Sequence, residues 1–224
     1  MKKKIKVEVH HGILKAAIAI FIFVALILIF AFITDEAVLE KENGFDKIIS
    51  DFLSPYSTRT MIRFMSDISF FGSSAFMFPA SVILTGYFLV RKKIKYAIDV
   101  AVVSITGTAL EFGLKLLFHR NRPDLPLIDK LTTYSFPSGH AFSSVIFYGL
   151  LIYLIWEGAN ISNTVKWMLS VLLALFSLTI GVSRIVLRVH YATDIIAGIS
   201  LAIAWMILCL WALKYIYPRF SRNS

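Results

Sequence analysis

Long apolar runs separated by short polar stretches make up most of this 224-residue chain, and 58% of its residues are hydrophobic. A helix needs about 20 residues to cross the hydrocarbon core of a bilayer. Six runs come near or exceed that length: 13–33, 68–90, 96–118, 141–156, 167–187 and 195–213. The pattern predicts an all-α membrane protein, a bundle of six transmembrane helices that forms a single domain over residues 1–224.

Composition strengthens this interpretation. Only 17% of the residues are charged and the mean hydropathy is +0.74, which is more apolar surface than a soluble domain of this size can bury. The first run follows a basic N-terminus, as in a signal peptide. It is longer than the usual apolar segment of roughly 7 to 15 residues and no small-residue cleavage site follows it, so we expect an uncleaved first helix.

The distribution of Lys and Arg predicts the orientation in the cell membrane, because basic loops stay in the cytoplasm. One basic cluster precedes the first run: Lys2, Lys3, Lys4 and Lys6. A second lies between the second and third runs: Arg91, Lys92, Lys93 and Lys95. Segment 34–60 is acidic and is expected outside, with both termini cytoplasmic. These clusters account for much of the net charge of +9 and suit an anionic lipid surface, so nucleic acid is not an expected partner.

Two local features refine the predicted bundle. In the first outer loop, apolar residues recur at helical spacing until Pro55, which predicts a short interfacial helix over 45–53: Phe45, Ile48, Ile49, Phe52 and Leu53. We interpret this helix as a connector with its apolar side towards lipid, with a lid beside a lipid-facing site as the alternative. In the second run, Pro79 and Gly86 predict a kink and a close helix contact.

Three polar clusters interrupt the apolar pattern, and the predicted topology brings all three to the outer face. They are KLLFHRNRP at 115–123, PSGH at 137–140 and SRIVLRVHYATD at 183–194. Lys115 lies one helical turn after Glu111, so a local ion pair between them is expected. The remaining cations of these clusters outnumber the nearby acids, which predicts an anion site, and guanidinium groups bind phosphate oxygens in pairs.

The PSGH cluster has the composition of a helix start. If a helix begins at Ser138 or Gly139, its free N–H groups face the same anion, and Gly139 lets the backbone approach closely. The Ser138 hydroxyl can cap that helix or donate to phosphate, and the two roles are compatible.

His190 and Asp194 are four residues apart at the start of the sixth predicted span, so they share a helix face. A carboxylate at that spacing can orient the imidazole and stabilise its positive charge. Together with His140, these side chains are of types that bind zinc, but the Lys and Arg residues of the same clusters would repel a divalent cation. We therefore favour phosphate over a metal, and expect no metal or other cofactor.

The three clusters resemble the signature of the phosphatidic acid phosphatase type 2 superfamily, membrane lipid phosphatases that share a site with vanadium haloperoxidases. That signature is Lys, six residues and Arg-Pro; then Pro-Ser-Gly-His; then Ser-Arg, five residues, His, three residues and Asp. Every position of it is filled here: Lys115, Arg122, Pro123, Pro137, Ser138, Gly139, His140, Ser183, Arg184, His190 and Asp194. The six-span layout is similar to that of small bacterial members that act on phosphatidylglycerophosphate or undecaprenyl diphosphate.

The resemblance implies a covalent mechanism. His190 would attack phosphorus and form a phosphohistidine, Asp194 would hold its ring, and His140 would protonate the leaving group and then activate water. The resemblance also implies phosphate binding by five residues: Lys115, Arg122, Ser138, Gly139 and Arg184. By contrast, Arg120, Arg188 and His119 lie beside motif positions, and we expect only surface or headgroup contacts from them.

Two alternatives to hydrolysis of a lipid phosphate or diphosphate stay open. One is phosphotransfer to an acceptor other than water. The other is an ion-coupled transporter that uses Asp99, Glu111 and Lys115 as its ion path, although the inverted repeats typical of transporters are not evident. The motifs contact only phosphate, so they do not distinguish phosphatidylglycerophosphate, undecaprenyl diphosphate and phosphatidate, and they say nothing of the oligomeric state.

Overall fold

The computed structural model describes residues 2–39, 44–129 and 131–220 of the chain. All regular structure in these ranges is helical: α1 Lys2–Thr34, a π-helical turn Asp35–Leu39, α2 Gly44–Leu53, a 3₁₀ turn Ser54–Tyr56, α3 Arg59–Phe70, α4 Ser74–Val90, α5 Ile94–Phe118, α6 Gly139–Gly158, α7 Asn163–Val186 and α8 Ala192–Phe220. Glu40, Lys41, Glu42 and Arg222, which contributed to the charge pattern, lie outside the described residues.

The six predicted spans are confirmed as helices long and apolar enough to cross a membrane: Ala16–Val38, Arg59–Val90, Ile94–Phe118, Gly139–Gly158, Asn163–Val186 and Ala192–Ile216. The fourth, which looked short in the sequence, gains length because α6 begins at Gly139. Large apolar side chains stay uncovered on the outside of the bundle, for example Phe21 and Phe78, each 74% exposed. Such a surface is suited to hydrocarbon and not to water.

Packing inside the bundle centres on α6 and α8. With α5 they enclose an apolar cluster that includes Phe142, Leu150 and Ala202, and α1 and α7 pack on the outside of this core. The only cysteine, Cys209, is buried in the same cluster. The arrangement brings the C-terminal ends of α5 and α7 and the N-terminal ends of α6 and α8 to one end of the bundle.

The second span differs from the prediction in two respects. It begins nine residues earlier, at Arg59, and it is interrupted between α3 and α4 at Phe71, Gly72 and Ser73. The close contact predicted at Gly86 is wrong, because a Cβ built there meets no atom of the described residues within 4 Å. The close approach occurs instead at Gly72, where an added Cβ would overlap Cγ2 of Ile180.

The short helix predicted at 45–53 is present as α2, from Gly44 to Leu53. The apolar side chains Phe45, Ile48 and Phe52 are 50%, 68% and 66% exposed, as a helix lying on a membrane surface requires. The lipid contact itself stays a prediction. Asp46, on the same helix, is only 4% exposed and points into the protein.

Candidate active site

The end of α5 supplies the first cation of the site. Nζ of Lys115 lies 3.2 Å from Oε1 of Glu111, so the predicted ion pair is present. The same nitrogen donates to the carbonyl oxygens of Tyr134 at 3.2 Å and Pro137 at 3.0 Å. Lys115 is thereby held against the loop that leads into the PSGH cluster.

Arg122 is fixed by backbone carbonyls on both sides. It donates from Nε to the Thr133 carbonyl at 2.7 Å and from one terminal nitrogen to the Val189 carbonyl at 2.7 Å. That terminal nitrogen also lies 3.0 Å from Nε2 of His190. Since an arginine is always a donor, Nε2 accepts this bond and carries no proton.

The PSGH cluster forms a helix start, as predicted. Ser138 has extended backbone angles and caps α6 by accepting from the Ala141 N–H at 3.4 Å. A side chain at Gly139 would displace the Glu111 carboxylate, because its Cβ would lie 2.7 Å from Oε1 of Glu111. Glycine therefore lets the first turn of α6 pack directly against the Glu111 and Lys115 pair.

Arg184 lies near the end of α7 and is only 3% exposed. One terminal nitrogen donates to Oγ of Ser69 on α3 at 2.6 Å. Its Nε is buried and forms no hydrogen bond with any described residue. A buried donor without a hydrogen bond is costly, so this N–H is the one part of the guanidinium whose lack of a partner calls for an explanation.

The predicted pair of His190 and Asp194 is also present, at the turn between α7 and α8. Nδ1 of His190 lies 3.2 Å from Oδ2 of Asp194, and that same oxygen accepts a short hydrogen bond from Ser135 and one from the Tyr191 N–H at 2.9 Å. Asp194 has no exposed surface. The His190 ring is therefore held by Asp194 at Nδ1, while Nε2 faces Arg122.

Charge and burial act together on His190. Burial lowers its pKa to about 3; Asp194 acts against that shift, and the charges of Arg122 and Lys115 reinforce it. The ring is consequently neutral at neutral pH. A neutral imidazole with an unprotonated Nε2 is in the state that a nucleophile requires.

The structure brings the three clusters together. His140, in the first turn of α6, lies within electrostatic range of four predicted site residues: Arg184, His190, Lys115 and Arg122. Three cations, two imidazoles and one buried carboxylate thus meet at one end of the bundle. The described residues contain no group of three His, Cys, Asp or Glu side chains arranged to hold a metal ion.

Sequence reasoning missed five residues around this site. Arg120 was expected on the surface, yet it is 8% exposed and donates to Asp194 at 2.6 Å, so that expectation was wrong. Asp46 entered only as one of the acids of segment 34–60, and Ser69, Gly72 and Ser135 were not singled out. Their contacts join segments far apart in the chain, and the one sequence signal was a second arginine two positions before Arg122.

Arg188 and His119, the other two neighbours of the motifs, do make local contacts. Arg188 donates to Oγ of Ser54 at 2.8 Å, and His119 packs edge-on against Tyr134 with ring centroids 4.5 Å apart. Arg188 also lines a groove of about 370 Å³ that runs past His190 along one side of α2. Charged and apolar side chains line it side by side, among them Lys47, Asp124 and Ile185.

Fold and site together define a six-span membrane protein with a buried cluster of cations, imidazoles and a carboxylate at one end of the bundle. Comparison with known proteins identifies its class. Residues 92–218 match the family model described as "PAP2 superfamily", which covers more than half of the chain. The chain belongs to this superfamily and is a membrane lipid phosphatase of the PAP2 type.

Individual relatives agree with this assignment. Phosphatidylglycerophosphatase B of Bacillus subtilis (strain 168) is 27% identical over 183 residues, which is 81% of this chain and 88% of the relative. A crystal structure of a transmembrane PAP2-type phosphatidylglycerolphosphate phosphatase from Bacillus subtilis superposes with a TM-score of 0.75 at 26% identity, covering 88% of this chain and 96% of the other.

A second solved structure, LpxE of Aquifex aeolicus, has the same fold. It superposes with a TM-score of 0.58 at 23% identity and covers 72% of this chain and 92% of its own.

The break between α3 and α4 generates a prediction about His140. A Cβ at Gly72 would overlap Cγ2 of Ile180 and lie 3.4 Å from Cδ2 of His140, so Gly72→Ala must shift Ile180 or the chain at the break, directly beside the imidazole. We expect a loss of phosphatase turnover of roughly 10-fold or more, because small misplacements of catalytic groups are costly. Turnover and thermal denaturation in detergent would be measured on the same preparation.

Gly86→Ala is the matched control, since its Cβ meets no described atom within 4 Å. It should keep full turnover and be neutral or slightly stabilising, as alanine favours a helix over glycine. Equal turnover of the Gly72 and Gly86 variants would show that the break does not position His140.

Proposed function

We propose that this protein hydrolyses a lipid phosphate monoester or a prenyl diphosphate at the extracytoplasmic face of the cell membrane, through a phosphohistidine on His190 and without a metal. The observation that carries the proposal is the state of His190. Its Nδ1 is held by Asp194 at 3.2 Å, and its Nε2 lone pair faces Arg122 at 3.0 Å.

In the first step, the Nε2 lone pair attacks phosphorus and the bond from phosphorus to the leaving oxygen breaks. His140 donates a proton to that oxygen, so the leaving group departs as an alcohol or a phosphate. The phosphorylated imidazole gains positive charge, which the Asp194 carboxylate stabilises through Nδ1–H. The second step reverses these roles, as His140 accepts a proton from water and the water oxygen displaces His190 from phosphorus.

Phosphate oxygens would be bound by the cations already held in place. Lys115, Arg122 and Arg184 supply positive charge, and the Ser138 hydroxyl and Gly139 N–H supply further donors at the start of α6. The free Nε–H of Arg184 supports this assignment, because a buried donor without a partner is satisfied when the anion arrives. Arg122 would exchange its contact with Nε2 for one with a phosphate oxygen, which frees the lone pair for attack.

Charge supports the extracytoplasmic location. The basic turn that contains Arg91, Lys92 and Lys93 precedes α5, whereas Lys115 lies at the other end of that helix. A helix of 25 residues spans about 37 Å, so the basic turn and the site lie on opposite sides of the bilayer. If the basic turn is cytoplasmic, the site faces outward.

Phosphatidylglycerophosphate is the first substrate to test, because the curated relative carries the name phosphatidylglycerophosphatase B. Undecaprenyl diphosphate and phosphatidate belong to the same proposal, since the site residues contact only the phosphate. In each case the apolar tail can stay in the bilayer while the headgroup enters the basic site.

Phosphotransfer is the closest alternative, and it differs from hydrolysis only in the molecule that accepts the phosphoryl group in the second step.

The transporter alternative is less well supported. Asp99 and Glu111 are separated by about 18 Å along α5, and Asp99 accepts a hydrogen bond from Tyr153 at 3.0 Å on the core side of the helix. Glu111 instead pairs with Lys115 at the site.

The first prediction of this proposal concerns activity. Purified protein in detergent should release inorganic phosphate from phosphatidylglycerophosphate, undecaprenyl diphosphate or phosphatidate in the presence of EDTA, and vanadate should inhibit it as a transition-state analogue. The measurement is phosphate release across the three lipids side by side. Complete loss of activity with EDTA would refute metal independence, and no release from any of them would refute the main proposal.

A second prediction separates the role of His140 from that of His190. His140→Ala should slow hydrolysis of a lipid phosphate more than hydrolysis of an activated aryl phosphate, whose leaving group needs less protonation. His190→Ala should abolish both equally. The ratio of the two turnover numbers is the measurement, and an equal loss on both substrates in His140→Ala would remove the general-acid assignment.

The orientation gives a third prediction. In a Cys209→Ser background, a cysteine introduced at Asp51 should react with a membrane-impermeant thiol reagent added to intact cells, whereas one introduced at Lys93 should react only after lysis. Both positions are exposed in the structure. The reverse labelling pattern would place the site on the cytoplasmic side.

A further inference from the structure

Helix α2 contains one buried residue, Asp46, although its neighbours along the helix are exposed or half-buried. Burial of a carboxylate is costly unless its oxygens accept hydrogen bonds. Asp46 satisfies this requirement in the turn that begins α8. Oδ1 accepts from the Thr193 N–H at 2.9 Å, and Oδ2 accepts from the Thr193 hydroxyl at 2.7 Å.

Oδ2 of Asp46 also accepts from Arg120 at 2.8 Å. The other terminal nitrogen of that guanidinium donates to Oδ1 of Asp194 at 2.6 Å and to the Thr193 hydroxyl at 2.8 Å. The Tyr191 ring covers one face of the guanidinium, with its centroid 4.2 Å from Cζ. Because a guanidinium is planar and rigid, the position of Asp46 fixes the plane from which Arg120 contacts Asp194.

Three side chains therefore form a continuous line from α2 to the ring of His190. Arg120 and the carboxylates of Asp46 and Asp194 are each at most 8% exposed. Together they carry one net negative charge beside His190. If Asp46 were neutral, the charge of Arg120 would offset more of the charge of Asp194, and Asp194 would stabilise the positive charge on a phosphorylated imidazole less strongly.

We propose that Asp46 is a positioning residue for the reaction: it acts through Arg120 on Asp194, so that His190 is oriented and electrostatically supported only when α2 is docked. This inference rests on the proposed function, since it requires His190 to be the nucleophile. It gives α2 a role beyond that of a connector between spans. Because α2 also borders the groove beside His190, its docking shapes one side of the approach to the site.

Asp46→Asn tests the proposal with almost no change in volume. In this proposal Asp46 acts through Arg120 and Asp194 rather than on the substrate, so we expect kcat to fall about 10-fold while KM changes less than about 2-fold. Asp35→Asn is the matched control, because Asp35 is an exposed acidic residue at the same end of the bundle, in the π-helical turn that follows α1. It should leave both constants unchanged.

A double-mutant cycle adds a second readout. In an Asp194→Asn background, Asp46→Asn should lower the residual turnover no further, because its effect is transmitted by the carboxylate that is already lost. Residual turnover would be followed with a radiolabelled lipid phosphate. Losses that multiply, a kcat equal to that of the wild type, or a change confined to KM would each overturn the proposal.

Thermal denaturation in detergent shows whether Asp46→Asn is folded, and Thr193→Val provides a second variant of the same contacts. The latter removes the hydroxyl that Asp46 and Arg120 share, keeps every charge, and should give a smaller loss of kcat at unchanged KM. If Thr193→Val keeps full kcat and Asp46→Asn fails to fold, Asp46 is structural and the proposal is wrong.

Different results would refute the proposed function and the role of Asp46. A wild-type protein that releases no phosphate, or an Asp194→Asn variant with full turnover, refutes the role of His190 and Asp194 themselves. Full turnover in Asp46→Asn together with a strong loss in Asp194→Asn refutes only the role of Asp46.

Discussion

The carboxylate of Asp194 has no exposed surface, and a buried carboxylate is stable only when donors surround it. Its donors come from separate parts of the chain: Arg120 follows α5, Ser135 precedes α6, and the His190 ring and Tyr191 N–H belong to the turn between α7 and α8. Satisfying one carboxylate thus fixes the relative positions of three loops. The same contacts orient the imidazole of His190, so the requirement that holds this end of the bundle together also positions the proposed nucleophile.

The cations of the site are unfavourable for a different reason, because like charges in a buried space repel each other. Hydrogen bonds to backbone carbonyls offset part of this repulsion. Arg122 donates to the carbonyls of Thr133 and Val189, and Lys115 donates to those of Tyr134 and Pro137. Glu111 offsets one further charge. The cations are held in place before any anion binds, which is the arrangement that gives electrostatic stabilisation of a transition state without further reorganisation.

The six spans, the start of α6 and both pairs at i, i+4 spacing could be predicted because each depends on residues close in sequence. Apolar run length predicts the spans, and helical spacing alone brings Glu111 to Lys115 and Asp194 to His190. Arg120 could not be predicted in the same way. It lies two positions from Arg122 in a loop without a repeating geometry, and its partners Asp46 and Asp194 are remote along the chain. The break at Gly72 was hidden for a related reason: its requirement for glycine comes from Ile180 on another helix.

Helix α2 carries exposed apolar side chains and a buried carboxylate within three turns. Phe45, Ile48 and Phe52 are exposed on the helix, whereas Asp46 is turned inward to Arg120 and Thr193. An amphipathic helix gains free energy when its apolar side chains leave water. If those side chains lie in the bilayer surface, their burial there also stabilises the position of α2 in which Asp46 contacts Arg120. The support of Asp194 would then depend on the bilayer as well as on the protein, which links the activity of this phosphatase to the surface where its substrates reside.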